Sequence, residues 1–215
     1  MLDVIQKSRR DAAIRTRAKA GRSLIRREIE SVAGRIARSG RASLGAETRT
    51  KIRVGLTAMM RERLGDAADT PEGKAYIKEQ ARHRQAALAE TEQQIKRRVG
   101  EIAEQGQRKG WSDARTAKEI KGAVKNIATT RAIVIAQNES IHDANFAAVS
   151  QAGRGQLLEW HTAGDARVRA SHVSVNGERI KPGKRFSNGL KYPGDPFAPA
   201  AEVVNCRCYI KVVNE

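Results

Sequence analysis

The chain has 215 residues, of which 41 are Lys or Arg and 24 are Asp or Glu, so its formal net charge is +17. No run of 18 or more apolar residues occurs, which excludes a transmembrane helix, and residues 1–20 lack the apolar stretch of a secretory signal. Two cysteines are too few for a disulfide framework, so we expect synthesis in a reducing, intracellular environment.

The positive charge is concentrated in the amino-terminal third, because residues 1–63 hold 17 basic and 6 acidic residues. Such a segment suits contact with nucleic acid, anionic lipid or an acidic protein face, and the simpler alternative is a solvated helix face. The cations that we take as candidates for DNA contact are Arg9, Arg10, Arg15, Arg17, Lys19, Arg22, Arg26, Arg27, Arg35, Arg38 and Arg41.

Helical periodicity extends over the first part of the chain. A long helix is predicted from residue 3 to about residue 38, and its narrow apolar stripe over Ile14–Ile36 suits docking on a partner or on a second copy. Residues 39–45 form a predicted break. A shorter helix follows over Ile52–Leu64, and a third runs from about residue 71 to residue 106.

Two further helices are predicted before residue 154. Ser112 is expected to cap the first, which reaches Ile127, and the second is expected to begin at Thr129 or Thr130 and to end at Gly153. The second helix has a predicted apolar face that consists of Ile133, Gln137, Ile141, Ala144 and Val149.

Large side chains and turn residues are concentrated in the second half. Seven of the eight aromatic residues lie at or after Trp111, and four of the five prolines lie at or after Pro182. We therefore predict an α+β protein, with long amino-terminal helices followed by a small mixed domain in which helices pack on a short antiparallel β-sheet. The predicted domains are 1–108, basic and helical, and 109–215, with helices in 112–153 and a β-rich part in 156–215.

The β-rich part contains several strand signals. Gln156–Trp160 is a predicted strand, and Asn176-Gly177 and Asn188-Gly189 each predict a hairpin turn. The first hairpin would pair His172–Val175 with Glu178–Ile180, and the second would lie between Phe186 and Tyr192. Val203–Val213 is the clearest predicted strand, and its alternation places Val204, Cys206, Cys208, Ile210 and Val212 on one face.

Cys206 and Cys208 are candidate metal ligands. On a strand their sulfurs would face the same way, roughly 6–7 Å apart along the backbone. Zinc would then be held together with His172 and either His161 or Asp165. The alternative is that both cysteines are small buried core residues, so that the protein has no cofactor.

The segment 165–172 contains four side chains that could take part in catalysis: Asp165, Arg167, Arg169 and His172. They do not include the combination of nucleophile, base and orienting group that a catalytic site requires. We therefore assign no catalytic residue. The structural interpretation is an Asp–Arg network that ties loops together, in which Arg169 would make a bidentate pair with a carboxylate such as Asp165.

Taken in order, these motifs resemble the phage head morphogenesis domain, the Mu F-like minor head protein family. They are Trp160, Asp165-x-Arg167-x-Arg169-x-x-His172, Asn176-Gly177, Pro193-Gly194-Asp195-Pro196 and Glu202-Val203-Val204-Asn205-Cys206-Arg207-Cys208. Upstream, Arg131-Ala132-x-x-Ile135-Ala136 and Asn145 resemble the family's helix. That helix more usually reads Arg-Thr-Glu where this chain has Gln137-Asn138-Glu139. The resemblance extends over about residues 112–213.

The resemblance implies a non-enzymatic minor structural protein of the virion, inside the head of a tailed phage or prophage near the portal vertex, that acts in procapsid assembly. The implied partners are the portal protein and the major capsid protein, and no association with a membrane is expected. The basic segment adds non-specific contact with double-stranded DNA. One alternative is a metal-dependent nuclease that uses Asp165, His172, Cys206 and Cys208, and another is a host nucleoid-type DNA-binding protein.

Overall fold

A computed structural model of the protein describes residues 12, 16, 19–28 and 46–215. Residues 19–28 are helical. Three longer helices follow, α1 (Ala46–Leu64), α2 (Pro71–Arg108) and α3 (Asp113–Gln151), with a 3₁₀ helix at Gly65–Asp69. Within these ranges, no helix combines the length and the apolar character that crossing a membrane requires. The predicted break at residues 39–45 and most of the stripe over Ile14–Ile36 lie outside the described residues.

The carboxyl-terminal part contains the sheet. Its elements are β1 (Gln156–His161), α4 (Ala170–Val173), β2 (Arg179–Ile180), α5 (Ala200–Val203) and β3 (Tyr209–Asn214). Both outer strands pair antiparallel with β1, in the order β2-β1-β3. The register places Leu158 opposite both Ile180 and Val212. The predicted α+β class, with helices and a short antiparallel sheet, is therefore confirmed.

The chain divides into two compact units. The sheet unit contains residues 59–80 and 137–215, and the helical unit contains the described residues of 16–58 together with 81–136. The domain boundary predicted from the sequence, between residues 108 and 109, does not coincide with the division between these units. It lies at the turn between α2 and α3, where Gly110 has a φ of +60°. That boundary stays a prediction about which parts fold on their own.

The core of the sheet unit is rich in aromatic side chains. Tyr76 stacks on Phe146 with ring centroids 4.1 Å apart, and Phe146 meets Tyr192 edge-on at 6.2 Å. The other large members of this core are Met60, Leu64, Leu158, Trp160, Val175, Phe186, Leu190 and Ile210. The core thus combines the aromatic-rich second half of the chain with residues from α1 and α2.

The helical unit is built on small residues and a regular apolar stripe. Leu88, Ile95, Val99 and Ile102 of α2 are buried, as their spacing predicts. A Cβ added to Gly21 would lie 3.1 Å from Cβ of Ala136.

Ile25, from the same segment as Gly21, is fully buried. In the described residues 19–28, the apolar stripe therefore packs inside the chain. Leu56 of α1 and Ala136 of α3 lie next to Gly21 in this segment. Docking of the stripe on a partner or on a second copy stays a prediction.

Helix α3 differs from its prediction in two ways. It is continuous through Thr129 and Thr130, since neither glycine nor proline interrupts the chain between residues 123 and 151. Its predicted face was also wrong, because Ile133 and Gln137 are exposed. The buried face instead mixes apolar and polar residues: Ala128, Ala132, Ile135, Ala136, Glu139, His142, Asp143, Asn145 and Phe146. A hydrophobicity pattern does not predict this face, because several of its buried side chains are polar and have partners inside the protein.

The predicted first hairpin was wrong. Residues 170–173 form the short helix α4, and β2 pairs with β1 rather than with His172–Val175. The Asn176-Gly177 turn itself is present, with φ of +83° at Gly177 and a hydrogen bond from its N–H to the Trp160 carbonyl of 2.7 Å. The turn signal was right because it is local, whereas the strand partner is chosen by the rest of the sheet.

The other two strand predictions also needed correction. Around Asn188-Gly189 the Phe186 N–H donates to the Leu190 carbonyl, but residues 186–192 form a turn without strands. The predicted strand Val203–Val213 begins only at Tyr209, because α5 occupies Ala200–Val203 and a turn follows it. Strand β1 matches its prediction and extends to His161.

Candidate functional site

Trp160 lies on the central strand and organises the residues around it. Its side chain is fully buried. The ring meets His172 and Phe186 edge-on, each at a centroid distance of 5.1 Å. Trp160 is therefore a core residue, and its ring packs against one side of the His172 ring.

The Asn205–Cys208 segment forms a turn that buries both cysteines. Asn205 has a left-handed backbone with φ of +59°, a conformation that Asn tolerates better than most residues. Its N–H donates to Oδ1 of Asn138 on α3 at 3.0 Å. The Cys206 N–H donates to the Val203 carbonyl, so the chain doubles back after α5. This turn, rather than strand alternation, directs the two sulfurs to the same side.

His172, Cys206 and Cys208 meet in the interior of the sheet unit. Nδ1 of His172 lies 3.6 Å from Sγ of Cys206 and 3.5 Å from Sγ of Cys208. The nitrogen and the two sulfurs are all within 4.8 Å of one another. On the far side of the ring, Nε2 lies 3.0 Å from Oε2 of Glu202, which also accepts a hydrogen bond from Ser171. Three residues of the predicted metal set are thus brought together.

The two thiols have very different affinities for protons. A hydrogen bond from Cys206, helped by His172, lowers the pKa of Cys208 to about 5 although burial opposes this. The same hydrogen bond, together with burial, raises the pKa of Cys206 far above the usual range of thiols. The contact between the two sulfurs therefore favours the deprotonated form of Cys208 and the protonated form of Cys206.

Asp165 is engaged elsewhere. Its two oxygens accept hydrogen bonds of 2.6 Å each from the two terminal nitrogens of Arg207, a bidentate ion pair. The Arg207 guanidinium holds the pKa of Asp165 well below its usual range. The expected partner, Arg169, instead donates to the Val204 carbonyl, so the pairing of Asp165 with Arg169 was wrong. The expected Asp–Arg network is present but partly exposed, with Arg207 as its cation.

His161 is also outside the cluster. Its Nε2 lies 2.6 Å from Oε1 of Glu159, and its ring stacks on Tyr209 at 5.0 Å. Burial acts to raise the pKa of Glu159, but the hydrogen bond from Arg179 and the neighbouring His161 outweigh it, so the pKa is lowered. Neither Asp165 nor His161 therefore supplies the predicted fourth metal ligand.

The Pro193–Pro196 motif is a buried loop packed under α3. Gly194 has a φ of +80°, and a Cβ built on it would overlap the ring of His142. Asp195 is buried and accepts a hydrogen bond from the Phe197 N–H. Glycine is required at this position for both reasons, backbone conformation and space.

Asn145 connects this loop to the cysteine turn and to β3. Its Nδ2 donates to the carbonyls of Pro193 and Cys208, at 2.9 Å and 3.1 Å. Its Oδ1 accepts from the Ile210 N–H at 3.1 Å. One fully buried side chain on α3 therefore satisfies three backbone groups in two segments that are distant in sequence.

A protein-family model described as phage Mu protein F like protein matches residues 93–211, which is more than half of the chain. The chain belongs to this family. No curated protein and no solved structure matches it. The recognition drawn from the motifs is confirmed, and the matched region begins earlier than residue 112, within α2. The family indicates a phage head morphogenesis protein and hence a component of the virion.

The motifs that carried the Mu F-like resemblance are structurally linked in the sheet unit. Trp160, His172, the Pro193–Pro196 loop and the Asn205–Cys208 turn belong to one packed region, joined by Asn145 and the Asp165–Arg207 pair. Arg131 lies in the helical unit, where it donates to Thr91 and pairs with Glu90 at 2.7 Å.

Sequence reasoning missed the roles of several Mu F-like residues. Glu202 was identified only as part of a motif, not as the carboxylate behind His172, and Asn138 and Asn145 were not assigned contacts. Their signal is weak but present. Polar residues recur every three to four positions along the buried side of α3, at Asn138, His142 and Asn145.

The described basic candidates lie together in the helical unit. Lys19, Arg26 and Arg27 are exposed and Arg22 is half-buried. The four line a groove of about 400 Å³ together with Thr129 and Ile133 of α3. The other candidates, from Arg9 to Arg17 and from Arg35 to Arg41, lie outside the described residues. Their contact with DNA stays a prediction.

Proposed function

We propose that this Mu F-like protein is a minor head protein that acts in procapsid assembly near the portal vertex and contacts packaged double-stranded DNA without sequence preference. The family membership carries the assembly part of the proposal. The portal protein and the major capsid protein are its proposed partners. The proposed place of action is the interior of the head.

The groove of Lys19, Arg22, Arg26 and Arg27 supports the DNA part. Four long cationic side chains line this groove, and Lys and Arg side chains are common partners of the phosphates of a duplex. Phosphate contacts give binding that is independent of sequence and that weakens with salt. Such binding suits a protein that meets whichever genome is packaged.

The DNA contact is tested by fluorescence anisotropy with a mixed-sequence duplex at several salt concentrations. One variant carries Gln at Lys19, Arg22, Arg26 and Arg27, and a control of equal charge carries Gln at the exposed residues Lys78, Lys118, Lys121 and Lys125. We expect the groove variant to bind more weakly, with a slope of log affinity against log salt that is shallower by about 0.9 for each phosphate that the variant no longer neutralises. The control is expected to resemble the wild type.

Equal losses of affinity in the two variants would show that only total charge matters, and no binding at low salt would remove DNA from the proposal.

The assembly part is tested separately, by mass spectrometry of purified procapsids and DNA-filled heads after crosslinking. We expect crosslinks between this chain and the portal protein in both particles. Heads that assemble normally and never contain the chain would contradict the assembly role.

A metal-dependent nuclease is the alternative function, and the geometry does not favour it. Cys206, Cys208 and His172 are only 1–2% exposed, so a phosphodiester cannot approach them without a rearrangement. The fourth residue of that hypothesis, Asp165, is paired with Arg207. Cleavage of supercoiled plasmid in the presence of Mg²⁺, Mn²⁺ or Zn²⁺, abolished by Cys208→Ser, would favour the nuclease over the structural role.

A further inference from the structure

The donor atoms of His172, Cys206 and Cys208 converge in the interior of the sheet unit. We propose that they bind one Zn²⁺ ion, which fastens the Asn205–Cys208 turn to helix α4. Thiolate sulfur and imidazole nitrogen are the ligands of most structural zinc sites. The proposal stands independently of the proposed role in the head, because it rests only on this geometry.

The distances fit the edges of a zinc tetrahedron. Zinc–sulfur bonds of about 2.3 Å and zinc–nitrogen bonds of about 2.0–2.1 Å place a sulfur and a nitrogen of one tetrahedron about 3.6 Å apart. Nδ1 of His172 lies 3.6 Å and 3.5 Å from the two sulfurs. The two nitrogen–sulfur separations thus match two edges of such a tetrahedron, and the two sulfurs lie within 4.8 Å of each other.

The far side of the histidine ring is arranged as in known zinc sites. Metal-binding histidines usually donate their other N–H to a carboxylate, which fixes the tautomer and the orientation of the ring. Here Nε2 of His172 lies 3.0 Å from Glu202, and Ser171 holds the same carboxylate oxygen at 2.9 Å. With Nε2 on the side of the carboxylate, Nδ1 lies on the side of the ring that faces the two sulfurs. The Trp160 ring packs edge-on against the imidazole and limits its rotation.

The position of the three ligands gives the ion a structural task. His172 lies on a helix of only four residues, and the cysteines follow 34 and 36 residues later in a turn outside the sheet. Little regular secondary structure connects α4 with that turn. A bound ion closes this long loop directly, which is where a crosslink is expected to stabilise most. The burial of all three ligands favours a structural site over a catalytic one.

The first test measures metal directly on the full-length protein, without an affinity tag and with a reductant present. Elemental analysis is expected to find close to one zinc per chain. Replacement by Co²⁺ is expected to give a thiolate-to-cobalt charge-transfer band and the visible bands of tetrahedral cobalt. A strong chelator is expected to lower the unfolding temperature. Wild-type protein that carries no zinc, takes up none and gives no thiolate–cobalt band overturns the proposal.

The second test compares variants by competition with a chromogenic chelator. Cys206→Ser and Cys208→Ser are expected to lose zinc, whereas the control His161→Gln, a histidine of the same unit outside the cluster, keeps it. Glu202→Gln, at a half-exposed residue, is expected to fold and to weaken zinc binding by about 10–100-fold. If the cysteine variants do not fold, Glu202→Gln decides alone. Zinc binding that is unchanged in Glu202→Gln, or equally reduced in His161→Gln, contradicts the proposed site.

Discussion

At the scale of single residues, the family motifs are explained by hydrogen bonds to the backbone and by ion pairs. Asn145 satisfies three backbone groups, Asn205 adopts a left-handed conformation, and Arg207 binds both oxygens of Asp165. Sequence motifs identified these positions, but they did not identify their partners. The partner of Asp165 is Arg207 rather than Arg169, because the turn after α5 brings Arg207 to it.

Replacement of Asn145 by Leu tests its role as a connector. Leu has a similar size but leaves the Pro193 and Cys208 carbonyls and the Ile210 N–H without this partner. A buried backbone group left unpaired costs about 1–3 kcal/mol, so we expect a loss of roughly 3 kcal/mol or more in unfolding free energy. Urea unfolding measures it, with Asn126→Leu at an exposed site as control. A loss as small as that of the control would contradict this role.

The Asp165–Arg207 pair predicts a dependence of stability on pH. Because the pKa of Asp165 is lowered in the folded protein, its stabilising effect is complete above the ordinary carboxyl pKa of about 3.9 and is lost as the pH falls below that value. The difference in unfolding temperature between wild type and Asp165→Asn is therefore expected to be constant from about pH 5 to pH 7 and to shrink below about pH 4.

Arg207→Gln removes the same pair from the other side and should show the same pH profile. Because the pair is partly exposed, added salt should also reduce the difference. A difference between wild type and Asp165→Asn that grows on acidification would contradict the sign of this prediction.

At the scale of elements, length and periodicity predicted helices well and strand partners poorly. Helix α2 was placed at about 71–106 and runs from Pro71 to Arg108. The Ser112 cap was also right, since its Oγ accepts from the Arg115 N–H. The strand expected at Val203–Val213 begins only at Tyr209, because local alternation does not contain the pairing with β1 that defines β3.

The Pro193–Pro196 loop gives a prediction at this scale. Gly194→Ala places a Cβ on a left-handed backbone, which costs of order 1–3 kcal/mol in strain. It also brings that Cβ against the His142 ring, so we expect a total loss of about 2–5 kcal/mol in unfolding free energy. Gly164→Ala is the matched control, since Gly164 has a φ of +75° and no atom within 4 Å of the added Cβ. Equal losses in the two variants would show that His142 makes room easily.

At the scale of the whole molecule, contacts join segments that the sequence assigned to different regions. Tyr76, expected in the amino-terminal helical region, stacks on Phe146 in the core of the sheet unit. Its hydroxyl donates to Asp143, which also pairs with Arg63 of α1 at 3.1 Å. Burial, followed by the charge of Asp143, raises the pKa of Tyr76 well above its usual range. The carboxyl-terminal module therefore depends on residues 59–80.

Deletion of residues 1–38 tests how far the units respond separately. It removes Gly21 and the buried Ile25 from the helical unit and exposes apolar surface there. We expect faster amide hydrogen exchange in residues 81–136 and unchanged protection in β1 and β3. Deletion of residues 1–11 serves as the control. Loss of protection in the strands would show that the sheet unit does not fold without the amino-terminal segment.

The sequence by itself determined the class of the protein, the positions of α1 and α2, the family and the motif positions, because composition, periodicity and turn residues act locally. The contacts between distant segments were decided only by the tertiary structure. The joining of His172 to Cys206 and Cys208, the Asp165–Arg207 pair and the entry of Tyr76 into the sheet unit's core each connect residues more than 30 positions apart. Such contacts depend on how all the elements pack together, and no local pattern along the chain encodes them.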